Sequence, residues 1–195
     1  AGLPAWALAT FGVVSLVGAR FLPLILHDYQ LSRLTTFIDP TLDPLGAGYN
    51  VIQSIIAVGS GGLLGKGLGH GTQSHLRFLP EHHTDFIFAS LAEELGLIGS
   101  LLVILVLGAL LYRLLSLATR ARDTSTRLIF CGIFGYLSFQ TFVNIGMNVG
   151  LAPVTGVTLP LISYGGSSIL ATAITLGLAS SLSRSSEHES LLEIK

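Results

Sequence analysis

From Leu128 to Ser183 the chain carries no Asp, Glu, Lys, Arg or His, and a run of that length needs surroundings in which charge is not wanted. A transmembrane helix takes about 20 mostly apolar residues, because the hydrocarbon core is about 30 Å thick and a helix rises about 1.5 Å per residue. The run is long enough for two spans. Pro153, Pro160 and the pair Gly165 and Gly166 interrupt it, which puts the spans at about 128–149 and 167–183. The piece between them is expected to be re-entrant or held at the surface by protein, since irregular backbone cannot face lipid. Two more stretches qualify: about 4–26, interrupted only by Arg20, and about 86–112, with Glu93 and Glu94 in its early turns and an uncharged body from Leu95 onward. The whole chain is 50% hydrophobic and 11% charged, against about 25% charged in a soluble domain. An all-α integral membrane protein with about four transmembrane helices is predicted.

Arg113, Arg120, Arg122 and Arg127 crowd the connection between the second and third spans, and the positive-inside rule makes that connection cytoplasmic. The segment 27–85 is then a large extracytoplasmic loop, and the tail 184–195 ends in the cytoplasm. Arg20 falls near the outer end of its span and is expected to snorkel to the interface. The chain opens on apolar residues, with no Met, basic n-region or small-residue cleavage site, which predicts that it begins inside a longer polypeptide. A net charge of -1 without a Lys/Arg block argues against nucleic acid as a partner. The single cysteine, Cys131, lies in an apolar stretch and is read as a core residue.

The outer loop holds the chemistry-bearing residues. Tyr49–Val58 is apolar with polar interruptions and is expected to form a short interfacial helix. Gly59–Gly71, GSGGLLGKGLGHG, is either a cradle whose amides and Lys66 meet a phosphate or a glycine-rich turn at the membrane surface. A Walker A loop needs a glycine at 60 and Ser or Thr at 67; Ser60 and Gly67 stand there, so that reading fails. Glu81, His82, His83, Thr84 and Asp85 then gather against the start of a span. Adjacent histidines point in different directions on regular backbone, and no metal site is expected. Asp85 is placed either to cap the helix that follows, as Thr84 also is, or to act as a functional carboxylate. Ser90 with Glu93 matches a capping box, which would start the regular helix one turn later.

Several long strings here resemble one family. IDPTLDPLGAG from Ile38 to Gly48, GSGGLLGKG, GTQS, FLPEHHTDFIFA, the Glu93–Gly96 turn, and NIGMNVGLAPVTGVTLPLISYGGSS from Asn144 to Ser168 are similar to the SEDS proteins (shape, elongation, division and sporulation; RodA, FtsW and SpoVE), with the FLPEHHTDF wording on the RodA side. The resemblance implies the C-terminal half of a ten-span fold in the bacterial cytoplasmic membrane. It implies a peptidoglycan glycosyltransferase that polymerises lipid II during elongation and shape maintenance, alongside a class B penicillin-binding protein. Asp85 matches the family's essential outer-loop aspartate.

One carboxylate suffices for such chemistry. The sugar leaves as a lipid pyrophosphate, which needs its charge offset but no proton, so Asp85 as general base is enough and attack opposite the leaving group inverts the anomeric centre. Lys66, Arg77 or a divalent cation, Mg or Mn, would offset the charge, with no tightly bound cofactor; Glu81 and His83 would position the acceptor. Gln73, Ser74 and Thr84 complete the expected substrate-binding set. The rivals are a lipid II transporter, for which the Pro and Gly interruptions at 153–166 speak, and a non-catalytic scaffold for the penicillin-binding protein.

Overall fold

The computed structural model describes residues 27–43, 46–75, 83–121 and 123–192 and scattered positions between 4 and 18; side chains at 28, 47, 74, 75 and 185–192 fall outside the description. Among these residues the regular elements are helical: α1 (Asp28–Ile38), a 3-10 turn (Pro40–Leu42), α2 (Ala47–Ser60), α3 (Thr72–His75), α4 (Ile87–Arg120), α5 (Thr124–Asn148) and α6 (Gly166–Leu192). Three of them are long and apolar enough to cross a membrane, Ile87–Arg120, Thr124–Asn148 and Gly166–Arg184, and they lie over the stretches expected at 86–112, 128–149 and 167–183. The stretch 4–26, with Arg20, falls mostly outside the described residues. The chain is an all-α integral membrane protein.

Helices α4 and α5 form an antiparallel hairpin. Its tight connection is possible because Asp123 caps α5, accepting from Thr126 N at 3.0 Å, and satisfies one of the orphan amides of a helix start. Beyond the turn, Leu114 and Ala118 of α4 pack on Phe130, Ile133 and Leu137 of α5, with Ala179 of α6 closing the cluster. Cys131 is exposed in this chain, contrary to the expectation of a core position. It sits about 100° around the helix from Phe130, off the stripe formed by 130, 133 and 137.

Among the described residues of the segment 27–85, α1, the 3-10 turn, α2 and α3 supply the regular structure. Tyr49–Val58 belongs to α2, and that helix packs on the start of α4 rather than only lying in an interface: Ala57 is buried against Phe86 and Ala89, with Val58 and Val154 around them.

Helix α4 is broken at Gly96, where φ is 68° and ψ -165°. A straight helix of 34 residues would reach about 51 Å, well over a bilayer's hydrocarbon core. The break orphans two carbonyls before it and two amides after it, and the glycine-rich stretch supplies all four partners. Lys66 N and Gly67 N donate to Glu93 O and Glu94 O, each at 3.0 Å, while Leu97 N and Ile98 N donate to Gly62 O at 2.9 Å and Leu63 O at 3.2 Å. So close an approach tolerates no side chain: a Cβ on Gly65 would strike Glu94 O, and one on Gly96 would strike Gly65 N. With Gly65 N donated to Gly61 O at 2.8 Å, the amides of 65–67 are spent on backbone, and this part of the stretch is a splice across a helix break.

Gly96→Ala therefore combines a left-handed backbone with a steric clash and should cost roughly 3–5 kcal/mol. Gly108→Ala, with nothing within 4 Å of its Cβ, should change stability by less than about 1 kcal/mol. Thermal unfolding of the full-length protein in detergent measures both; equal melting temperatures would contradict the splice.

Candidate active site

Asp85 lies just ahead of α4, at the opposite end of that helix from Arg113 and Arg120. It does not hold the N-cap position. The N-cap position is Phe86, with no side-chain cap bond, and neither Thr84 nor a Ser90–Glu93 box takes that role. Ser90 Oγ lies 3.4 Å from Phe86 O, already inside the first turn, and the Glu93 side chain points to the glycine splice.

Half-buried Asp85 is enclosed by the irregular segment between α5 and α6. Its Oδ2 faces Gly156, whose Cβ would stand 3.3 Å away and whose φ is +73°, so the position favours glycine twice over. The backbone of 83–85 is held by the same region. Asp85 O accepts from Asn144 Nδ2 at 2.9 Å and Asn148 Nδ2 at 3.1 Å, Thr84 O from Ser163 Oγ at 2.7 Å, and His83 O from Tyr164 N at 2.9 Å. Arg33 of α1 reaches the segment as well, donating through Nη1 to Val154 O at 3.2 Å. Its guanidinium is exposed two residues from the glycine that touches Asp85.

Lys66 is partnered within the protein. Its Nζ donates to Glu93 Oε1 at 2.7 Å and Thr72 Oγ1 at 2.8 Å. Thr72 Oγ1 donates to the same carboxylate oxygen at 3.0 Å, and the Gln73 amide reaches Oε1 and Oε2 at 3.1 and 3.2 Å. Glu93 is wholly buried, and the Lys66 side chain is 29% exposed. The ion pair and the neutral donors together offset the desolvation of that carboxylate. Gln73 thus acts here through its backbone, while its buried Oε1 has no partner among the described residues.

Of the other residues singled out in the sequence, His83 is exposed and Thr84 half-buried beside Asp85. Arg77 and Glu81 lie outside the described residues, as does the side chain of Ser74. Sequence reasoning gives no part in the site to Asn144, Asn148, Ser163, Gly156 or Arg33, and gives Glu93 only the capping box. A signal for two of them was present: Asn144 and Asn148 are amides one turn apart in a charge-free span, a pairing that buried helices keep only when both amides find partners.

The chain matches the model of the FtsW/RodA/SpoVE cell cycle proteins over residues 1–188. It is 51% identical over 175 residues to the peptidoglycan glycosyltransferase MrdB of Escherichia coli K12, which covers 88% of this chain and 47% of that protein. To stage V sporulation protein E of Bacillus subtilis it is 43% identical over 183 residues, 93% of this chain and 50% of the relative. It therefore spans about half the length of these curated relatives. A solved peptidoglycan synthase complex, described as coordinating polymerization and crosslinking, superposes with a TM-score of 0.70 at 39% identity over 93% of this chain and 49% of its own. The Thermus thermophilus rod shape determining protein RodA gives 0.51 at 34% identity, over 82% of this chain and 57% of its own.

Removing one partner of the buried pair leaves the other charge uncompensated. Lys66→Met, which strands the wholly buried Glu93 carboxylate, should cost about 3–5 kcal/mol, and in a double-mutant cycle Lys66→Met with Glu93→Leu should fall short of the summed single costs by more than about 1 kcal/mol. Additive costs in denaturation of the full-length protein would remove the coupling.

Proposed function

The chain belongs to the FtsW/RodA/SpoVE family of cell cycle proteins, the SEDS proteins, and from that premise we propose that the polypeptide it represents is a peptidoglycan glycosyltransferase with Asp85 as general base. Its substrate in this reading is lipid II, used on the outer face of the bacterial cytoplasmic membrane during elongation, beside a class B penicillin-binding protein. Support for the partner comes from the similar synthase complex, and support for the outer face from the separation of Asp85 and the arginines to opposite ends of α4.

The observation that carries the assignment is the enclosure of Asp85: a half-buried carboxylate facing Gly156, with its own carbonyl held by two buried amides. Such a carboxylate is held in place by the backbone around it. It takes the proton of the attacking sugar hydroxyl as the new glycosidic bond forms. The bond from the anomeric carbon to the lipid pyrophosphate breaks in the same step, and its electron pair leaves with the pyrophosphate.

Charge on that leaving group needs cations. Arg33, exposed beside the segment that encloses Asp85, suits this task better than Lys66, whose ammonium serves Glu93; Arg77 remains a candidate. His83, Glu81 and Thr84 would position the acceptor. Among the described residues no three His, Cys, Asp or Glu side chains converge as metal ligands. A divalent cation at Asp85 would draw most of its ligands from the substrate's phosphates and water, as Mg commonly does.

Polymerisation of purified lipid II by the full-length protein with its penicillin-binding partner tests the reading. Asp85→Asn should lower the rate by at least about 100-fold, at the base's expected worth, with the complex intact, and Arg33→Ala should weaken lipid II use while leaving folding unchanged. Undiminished polymer from Asp85→Asn would end the general-base assignment.

A further inference from the structure

Regular α-helical bonding would join Ala89 N–H to the carbonyl four residues back, which is Asp85 O. That bond is absent, and the side-chain amide of Asn148 occupies its place. Nδ2 of Asn148 donates to Asp85 O at 3.1 Å, and Oδ1 accepts from Ala89 N at 3.1 Å. The first amide to follow the helical pattern is Ser90 N, bonded to Phe86 O at 3.2 Å. One amide group has been inserted into the first turn of α4, and Asp85 is left outside the helix because of it.

The insertion is itself braced. Asn148 Nδ2 also donates to Asn144 O at 2.8 Å, and Asn144 Nδ2 bridges Asp85 O at 2.9 Å and Val157 O at 2.7 Å. Both asparagines are 0% exposed. One residue earlier, Ser163 Oγ holds Thr84 O while accepting from Leu159 N at 2.7 Å. The turn that presents Ser163 contains Leu161 at φ 66°, a left-handed conformation that costs a non-glycine residue about 1–2 kcal/mol and persists where surrounding structure over-determines it.

We infer that Asn148, seconded by Asn144 and Ser163, is a positioning residue: it keeps the backbone at Asp85 from winding into α4 and so sets the direction of the catalytic carboxylate. The inference rests on the general-base reading of Asp85. Without the inserted amide, Asp85 O and Ala89 N–H would close on each other, the helix would gain a residue, and the carboxylate would swing away from Gly156. Asn148 touches backbone and no reacting atom, so its loss acts on turnover and not on the substrate's own contacts.

The experiment uses the full-length protein with its penicillin-binding partner, at equal folded amounts judged by gel filtration and melting temperature. In Asn148→Leu, kcat for lipid II polymerisation should fall roughly ten- to hundredfold, the scale of a misplacement of about 1 Å, with KM changed less than about threefold. Asp85→Glu, which already displaces the carboxylate by a methylene, should cost much less in that background than in the wild type. Ser163→Ala, a smaller excision, should show the same split of kcat from KM at about three- to tenfold and serves where Asn148→Leu does not assemble. Full kcat in a folded Asn148→Leu or Ser163→Ala, or equal costs of Asp85→Glu in both backgrounds, would overturn the inference while an inactive Asp85→Asn leaves the base in place. A fully active Asp85→Asn would overturn base and positioning together.

Discussion

The wholly buried carboxylate of Glu93 sits where α4 breaks, and the stretch 62–73 is hung on it or on the backbone beside it. Lys66, Thr72 and the Gln73 amide converge on its two oxygens, while its own carbonyl and that of Glu94 receive the amides of Lys66 and Gly67. A charge removed from water in this way is tolerable only with a full set of donors. The glycines follow from that requirement: the loop must come within backbone contact of α4, and side chains at 65 and 96 would forbid it. What resembles a phosphate loop by composition is a way of satisfying the ends of a broken helix.

Asp85 depends on residues far away in sequence for a comparable reason. A carboxylate at the mouth of a long helix has an easy alternative, which is to join the helix or cap it. Asn144, Asn148 and Ser163 foreclose it by taking the carbonyls at 84 and 85, and Tyr164 N takes the one at 83. The irregular stretch between α5 and α6 is thereby held by protein contacts, as non-helical backbone near a bilayer must be, and the contacts that hold it are the ones that fix Asp85.

The membrane helices were legible because charge-free length is a coarse signal that packing cannot reverse: the absence of charge from 128 to 183 and the body of α4 after Leu95 announce themselves. The family motif singles out Asp85, and its geometry does not follow from the sequence. Local rules favoured a cap at Thr84 or Asp85, because those rules count only neighbours in sequence, and the amide that takes the Asp85 carbonyl comes from Asn148, 63 residues on. Lys66 misled in the same way, since its partner Glu93 is 27 residues distant and a lysine among glycines looks free until its partner is seen. Cys131 shows the limit of composition, because an apolar neighbourhood does not say which side of a helix faces the core.

The break and the inserted amide divide α4 into parts with separate tasks. From Gly96 onward it is a bilayer-length rod whose direction is set by packing on α5 and α6. Ahead of Gly96 it is a short segment pinned by the splice on one side and by the α5–α6 segment on the other. In an unbroken helix, the place of Asp85 above the membrane would be dictated by rise alone, about 1.5 Å for each residue before the span. Breaking the rod releases the carboxylate from that constraint, so its height and direction answer to Asn148, Ser163 and Gly156. Under the general-base role proposed for Asp85, which has it meet a sugar tethered by pyrophosphate to a lipid, this arrangement is an advantage: the tether would fix the substrate's height, and the protein could match it without altering the length of the span that crosses the bilayer.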